Sequence, residues 1–337
     1  MKSHRRVTLM DVAKEAGVSP QTVSRVVNLK GEVSAETRAR IQAVIARLDY
    51  RPNRVAQGLA RQRFDAIGLI VPDITSPFFA DVVRGVEDAA HEHGYQVFLC
   101  NMDESPARER EALESLEDHG VDGVILAASR LDEEALVKTI HRNSNIVLLN
   151  RQLTPPHPYV VRNDDQRGGY LATRHLLEKG HRAICFIGGQ RPSFSRSERL
   201  VGYRRALEEA GIALDEALIV EGYPSHECGK VMARQLLDAR PDVTAVIAYN
   251  DLVAVGVLQA LQETGRHVPG DVALVGFDDI LMAQLVCPPL TTVRQEKHRA
   301  GVAALQMLMR CLQADRDQDG TPHEVVFEPA LIVRQST

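Results

Sequence analysis

Thr8-Leu-Met-Asp-Val-Ala-Lys-Glu-Ala-Gly-Val-Ser-Pro-Gln-Thr-Val-Ser-Arg-Val-Val-Asn28 holds two helix starts separated by one stop. Thr8 with Asp11 three residues on is a capping-box start, and Leu9, Val12 and Ala13 follow at helical spacing. The pattern predicts a short helix ending near Ala16, where Gly17 stops it and Val18 anchors the turn. Ser19-Pro20 then supplies an N-cap and a proline at the first helical position. A second helix is expected to run to about Asn28. Val23 and Val27, four apart, are expected to face inward, leaving Gln21 and Arg25 on the outer face. A helix that presents such side chains near its start can enter the major groove, where Arg matches guanine and Gln matches adenine. Ser34, ahead of Arg38, Ile41, Val44, Ile45 and Leu48, starts a third helix that closes the small core.

Charge divides the chain in the same place. Residues 1–63 hold 13 Lys+Arg against 5 Asp+Glu, a net of +8, while the remainder holds 27 against 40, a net of −13. A basic head on an acidic body suits a phosphate-binding module joined to a domain with another task, although a solvated basic face would show the same count. With 337 residues, 44% of them hydrophobic, the chain is long enough for two or three domains with cores. Disorder and fibrous classes are excluded as overall descriptions. No apolar run is long enough to span a bilayer and MKSHRR is not followed by a signal-type apolar stretch, so a cytoplasmic protein with no membrane partner is expected. Cys100, Cys185, Cys228, Cys287 and Cys311 are scattered without a CxxC pair and read as reduced thiols, not as a disulfide framework or zinc site.

From Phe64 onward, short apolar runs alternate with amphipathic segments. The runs are Ala66 to Pro72, Tyr95 to Cys100, Val121 to Ala127, Ile146 to Asn150, Ala183 to Gly188, Ala245 to Tyr249 and Val272 to Gly276; Phe79 to His93 and Gln166 to Lys179 are helical in pattern. Strands separated in this way predict parallel sheets with helices on both faces. Ile67-Gly-Leu-Ile-Val71 and Ile184-Cys-Phe-Ile-Gly188 each begin a similar series, so two doubly wound α/β lobes with a cleft are expected. Ligands then bind just beyond the C-terminal ends of the strands.

The quoted stretch resembles the DNA-binding head of the lac repressor (LacI) family of bacterial transcription regulators, and Tyr50-Arg-Pro-Asn-Arg-Val-Ala-Gln-Gly-Leu-Ala60 resembles its hinge. The body resembles the family's effector domain, which has the fold of periplasmic sugar-binding proteins. Ser197-Glu-Arg-Leu-Val-Gly-Tyr203, Asn250-Asp251, Gly276-Phe-Asp-Asp279 and Pro288-Pro-Leu-Thr-Thr-Val-Arg-Gln295 carry that match, which spans essentially the whole chain. The resemblance implies a helix-turn-helix domain at 1–50, a hinge at 51–63 and an effector-binding and dimerisation domain at 64–337. Within the last, lobe one is expected at about 64–161 and 292–321, and lobe two at about 162–291 and 322–337.

It further implies that Gln21 and Arg25 read bases, with Pro20 replacing a residue that often does so. Thr8, Ser19, Thr22, Asn28, Ser34 and Thr37 would hold phosphates, which position the head without reading sequence. In the hinge, Pro52 and Gly58 bracket a helix too short to be stable alone. Leu59 would wedge into the minor groove with Asn53 and Ala56 at its wall; the alternative is a linker residue packed on the body. Effector contacts would come from Arg199, Asn250, Asp278 and Gln295 and, from the first lobe, from Asp73, Ser76, Phe78, Phe79 and Asn150. These groups suit a polyol, since carboxylate, amide and guanidinium groups meet hydroxyls and a ring meets the apolar face of a sugar. Helix capping is the alternative for Asn250 and Asp278, and a surface ion pair for Arg199. Two departures from the family pattern stand out. Gly222-Tyr-Pro-Ser225 lies where an acidic residue and then an aromatic are frequent, and Lys297 stands where an apolar or aromatic residue is common.

Two other classes compete. A doubly wound fold hosts many enzymes, yet there is no GxGxxG after the opening strands, no GxxxxGK[ST], no GxSxG and no HExxH, and His91-Glu-His93 has the wrong spacing for a helical metal pair. An exported binding protein is opposed by the basic head. The expectation is a non-enzymatic, homodimeric repressor that needs no cofactor. It would bind a pseudo-palindromic double-stranded operator under the control of a small-molecule effector, a sugar or sugar derivative.

Overall fold

The computed structural model describes residues 7–28, 31, 33–50, 63–313 and 323–337. The chain divides into two compact units, Met1–Phe64 and Asp65–Thr337.

In the first unit, α1 (Leu9–Ala16), α2 (Pro20–Val27) and α3 (Ala35–Arg47) follow the expected starts and stops. Thr8 and Asp11 form the reciprocal capping box, and Gly17 takes the left-handed conformation, φ 64°, that ends α1. The inner face of α2 differs from expectation: Val23 and Val26 are buried, and Val27 is only partly so. Three residues' spacing, not four, brings this short helix onto Val12, Ala13, Ala16, Ile41 and Val44.

The second unit contains two six-stranded sheets. The first comprises β1 (Ala66–Val71), β2 (Gln96–Asn101), β3 (Gly123–Ala127), β4 (Ile146–Leu149), β5 (Tyr159–Asn163) and, after a long excursion, β11 (His323–Phe327), in the order β11-β5-β4-β3-β1-β2, all parallel. The second comprises β6 (Ile184–Ile187), β7 (Ile219–Val220), β8 (Ala245–Ala248), β9 (Ala273–Asp278), β10 (Thr291–Arg294) and the antiparallel β12 (Ala330–Ile332), in the order β12-β10-β9-β8-β6-β7. Central strands β1, β3, β4, β6, β8 and β9 are buried at every position, the mark of parallel strands covered on both faces.

In the first lobe the covering helices are α4 (Pro77–Glu92), α5 (Pro106–Asp118) and α6 (Glu133–Arg142), joined by α12 (Lys297–Gln313), whose Ala300, Ala304, Leu305 and Leu308 enter the same core as β1. In the second lobe they are α7 (Asp165–Glu178), α8 (Phe194–Glu209), α9 (His226–Ala239) and α10 (Asp251–Glu263), with a short α11 (Met282–Leu285). Glycines set the closest approach of one pair. A Cβ at Gly169 of α7 would lie 2.1 Å from the carbonyl oxygen of Arg199, and one at Gly202 of α8 would lie 2.0 Å from that of Gln166. The two backbones touch because neither residue has a side chain, which brings the Arg199 backbone directly against α7.

The chain crosses between lobes after β5, after β10 and after β11. These crossings correct the expected boundaries. Thr291–Arg294 belongs to the second sheet, so the return to lobe one follows residue 294 and not 291; His323–Phe327 pairs with β5, so the last switch lies between residues 327 and 330 and not at 322.

Candidate functional site

In the head, Ser19 caps α2 by accepting from the Thr22 amide at 3.1 Å, and Ser34 caps α3 by accepting from the Thr37 amide at 3.3 Å. The Thr8 hydroxyl bonds Asp11, and the Asn28 amide donates to the Ser24 hydroxyl. Thr8, Ser19, Thr22, Ser34 and Thr37 thus sit at helix N-termini, where N–H groups and the helix dipole favour anions, whereas Asn28 is the C-cap of α2. Pro20, Gln21 and Arg25 are exposed on α2. Asn53, Ala56 and Leu59 lie outside the described residues.

Between the lobes is a cavity with about 510 Å³ of empty space, open to solvent. Eight of the nine expected effector residues line it: Asp73, Ser76, Phe78, Phe79, Asn150, Arg199, Asn250 and Asp278. The wall is built by a single rule, since the residues that follow each parallel strand face the opposite lobe. Ser76, Phe78 and Phe79 come from the start of α4, where Ser76 is the N-cap, Pro77 occupies the first turn and the two rings meet edge to face at 5.1 Å.

Arg199 anchors the second lobe's floor. Its side chain is 5% exposed, its Nε donates to Asp165 Oδ1 at 2.8 Å, Nη1 donates to the Tyr249 carbonyl, and the guanidinium lies 3.8 Å over the Phe277 ring. The surface ion pair expected as the alternative is therefore replaced by a buried one. Nη2 sits 4.0 Å from Asp278 Oδ1. Asp278 adopts φ 104°, a backbone conformation that side-chain-bearing residues rarely take and that collects at functional sites. Burial pushes its carboxyl well above the usual carboxylate range, although Arg199 pulls the other way.

Gln295 does not line the cavity. It lies behind Arg199, with Nε2 donating to Asp165 Oδ1 at 2.8 Å and Oε1 3.5 Å from Arg199 Nη2, so it orients the arginine through a shared carboxylate. Asn250 both lines the cavity and caps α10, accepting from the Val253 amide at 2.9 Å. The Asn150 carboxamide oxygen accepts from the Asn163 amide at 3.0 Å, which ties the wall to the first crossing.

Six further wall residues were not anticipated: Glu104, Ala128, Arg130, Ser195, Pro224 and Tyr249. The strand-end rule, applied after β2 and β3 as it was after β1, would have found the first three. Arg130 and Glu104 form an ion pair whose side chains are each 4% exposed. In the Gly222–Ser225 stretch, the Tyr223 hydroxyl donates to Asp103 Oδ1 at 3.2 Å across to the first lobe, and Pro224 lies at the wall. Lys297 donates from Nζ to the carbonyls of Asp278 and Asp279, at 2.7 and 3.1 Å. Next to the cavity, Asp251 is fully buried, accepting from Ile280 N and the Thr292 hydroxyl, and burial pushes its carboxyl up to about 7. Among the described residues no group of His, Cys, Asp or Glu is arranged to hold a metal, and no helix is long and apolar enough to cross a membrane.

Comparison with known proteins agrees with this architecture. Residues 8–53 match the family described as bacterial regulatory proteins, lacI family, and residues 64–324 match periplasmic binding proteins and sugar binding domain of LacI family. The HTH-type transcriptional regulator DegA of Bacillus subtilis (strain 168) is 37% identical, with 98% of each chain covered. A solved complex of the transcriptional regulator CelR with cellobiose is 36% identical, covers 98% of this chain and 100% of its own, and has a TM-score of 0.74. The lac repressor dimer bound to operator and the anti-inducer ONPF is 29% identical, covers 98% and 99%, and has a TM-score of 0.86. With a lacI-type head, a two-lobed ligand-binding body and relatives that regulate transcription and are not enzymes, this chain belongs to the LacI family of DNA-binding transcription regulators.

Proposed function

We propose that this protein is a cytoplasmic repressor that binds a pseudo-palindromic operator as a homodimer, and that a sugar or sugar derivative held between the lobes controls its operator affinity. The observation that carries the reading is the cleft, where a tethered guanidinium, carboxyl groups and an amide converge opposite the Phe78–Phe79 pair. That set meets hydroxyls on one side and the apolar face of a sugar ring on the other.

In the head, Gln21 and Arg25 read base edges, with Pro20 beside them at the start of α2. Thr8, Ser19, Thr22, Asn28, Ser34 and Thr37 hold phosphates, and Leu59 wedges the minor groove with Asn53 and Ala56 at its wall. Dimerisation is supported by large apolar side chains left exposed in both lobes, Phe98 and Leu99 on the edge strand β2 and Leu281 and Leu285 at α11. The operator-bound lac repressor, similar over nearly its whole length, is itself a dimer.

Footprinting of the full-length protein on genomic fragments should reveal a two-fold protected site. Arg25→Ala should weaken binding to that site by about 1–3 kcal/mol and relax one base position per half-site. An asymmetric single half-site, or an Arg25→Ala variant that binds like the unsubstituted protein, would contradict the proposal.

A further inference from the structure

The cavity wall contains two guanidinium groups, those of Arg130 and Arg199, and neither Lys nor His. Both are already committed. The Arg130 Nε donates to Glu104, Nη1 donates to the Ala128 carbonyl at 3.0 Å, and its own amide is held by Glu109 at 2.7 Å, so the side chain is anchored at both ends. Burial opposes its charge, and Tyr249 and Glu104 beside it keep it ionised. Arg199 is matched by Asp165, leaving Nη2, 3.5 Å from Gln295 and 4.0 Å from Asp278, as its open donor. The remaining fixed charge at the wall is acidic. Asp73 brings a carboxylate steadied by the Thr75 amide and hydroxyl, at 2.8 and 2.7 Å. The N-termini of α4, α8 and α10 contribute about half a positive charge each. Asp73 and any ionised Asp278 oppose them, so the fixed charges nearly cancel.

A bound carboxylate or phosphate would leave water for a wall whose full positive charges are already taken, and desolvated charge without a partner is strongly disfavoured. Hydroxyls meet no such penalty, because they donate to Asp73 and Asn250 and accept from Arg199 Nη2. Resting on the sugar-effector reading above, we propose that the effector is an uncharged polyhydroxy compound and that Glu104, by committing the Arg130 guanidinium, excludes sugar acids and sugar phosphates. Glu104 is thus a specificity-determining residue that acts on charge and not on shape.

Calorimetric titration of the full-length protein with a panel of neutral pentoses, hexoses and disaccharides, each beside its aldonic acid and phosphate ester, tests this directly. At least one neutral sugar should bind, with its charged counterparts weaker by about tenfold or more. A charged counterpart that binds as tightly as the neutral sugar, or tighter, overturns the proposal while leaving a sugar effector in place; no binding by any member removes both. Glu104→Gln should raise affinity for the charged counterpart by about tenfold without a comparable gain for the neutral sugar, whereas Glu104→Gln/Arg130→Gln should show no such gain. Should Glu104→Gln be too unstable to titrate, the aldonic acid should raise its melting temperature more than it raises that of the unsubstituted protein. Absence of any gain toward the anion in either measurement overturns the role of Glu104.

Discussion

Buried carboxyl groups near the cleft separate into two kinds. Asp165 is met by Arg199 and Gln295, whereas burial dominates Asp278, which lies 4.0 Å from Arg199 Nη2, and Asp251, which accepts from Ile280 N and the Thr292 hydroxyl. Asp251 is the clearest case, because its folded value of about 7 stands above the ordinary 3.8. A raised carboxyl favours the fold while protonated, so this contribution is fully present below about pH 4 and is lost as pH rises to about 7. The loss is at most about 4 kcal/mol at about 1.4 kcal/mol per pH unit. In Asp251→Asn, the amide can still serve Ile280 N and Thr292 but cannot ionise. The melting temperature of the variant relative to the unsubstituted protein should therefore climb between pH 4 and 7 and level off above; a constant difference would show that Asp251 does not titrate in this range. Residue identities at the wall were legible to the extent that a strand end preceded them, as with Asp73, Asn150 and Asn250. Gln295 was expected to contact effector and lies one layer behind the cavity wall, because only the fold reveals that Asp165 stands between two crossings.

Among the elements, the head was the most readable part, since its helix limits depend on local chemistry: the Thr8–Asp11 box, Gly17 and Ser19-Pro20 all act within a few residues. The seven apolar runs were likewise strands, six of them covered on both faces and the seventh, β2, an exposed sheet edge. The short β5, β7, β10, β11 and β12 were not read as strands, because their two to five residues are too few or too mixed in polarity to form an apolar run that distinguishes a strand from a loop. Their sheet membership depends on which lobe the chain has re-entered, and that is a long-range property. Glycine spacing likewise gave no advance notice that α7 and α8 touch backbone to backbone. Gly169→Ala would place its methyl carbon 2.1 Å from the Arg199 carbonyl oxygen. The helices must separate, costing about 1–3 kcal/mol of stability. Because the same shift displaces Arg199, thermal melting with the neutral sugar identified by titration should show less ligand stabilisation than in the unsubstituted protein. Unchanged ligand stabilisation would mean that this helix contact does not set the arginine's position.

For the whole molecule, function depends on two sites that sit in separate compact units and must be linked by energy. The body supplies the means, since two lobes joined by three crossings can change their mutual angle, and hydrogen bonds of Gln295 and Asn163 tie two of those crossings to each other and to the cleft. A ligand shifts operator affinity only if it prefers one lobe arrangement over the other. The most direct measurement is operator affinity of the full-length protein with and without saturating neutral sugar, for the unsubstituted chain, Arg199→Ala and Leu59→Ala. Sugar should change the unsubstituted protein's operator affinity by about tenfold or more, within the 1–3 kcal/mol usual for such coupling. Arg199→Ala should retain DNA binding but lose that response, and Leu59→Ala should lose operator affinity while binding sugar normally without DNA. Equal operator affinity with and without sugar in the unsubstituted protein, or loss of sugar binding in Leu59→Ala, would contradict the coupling of cleft to head.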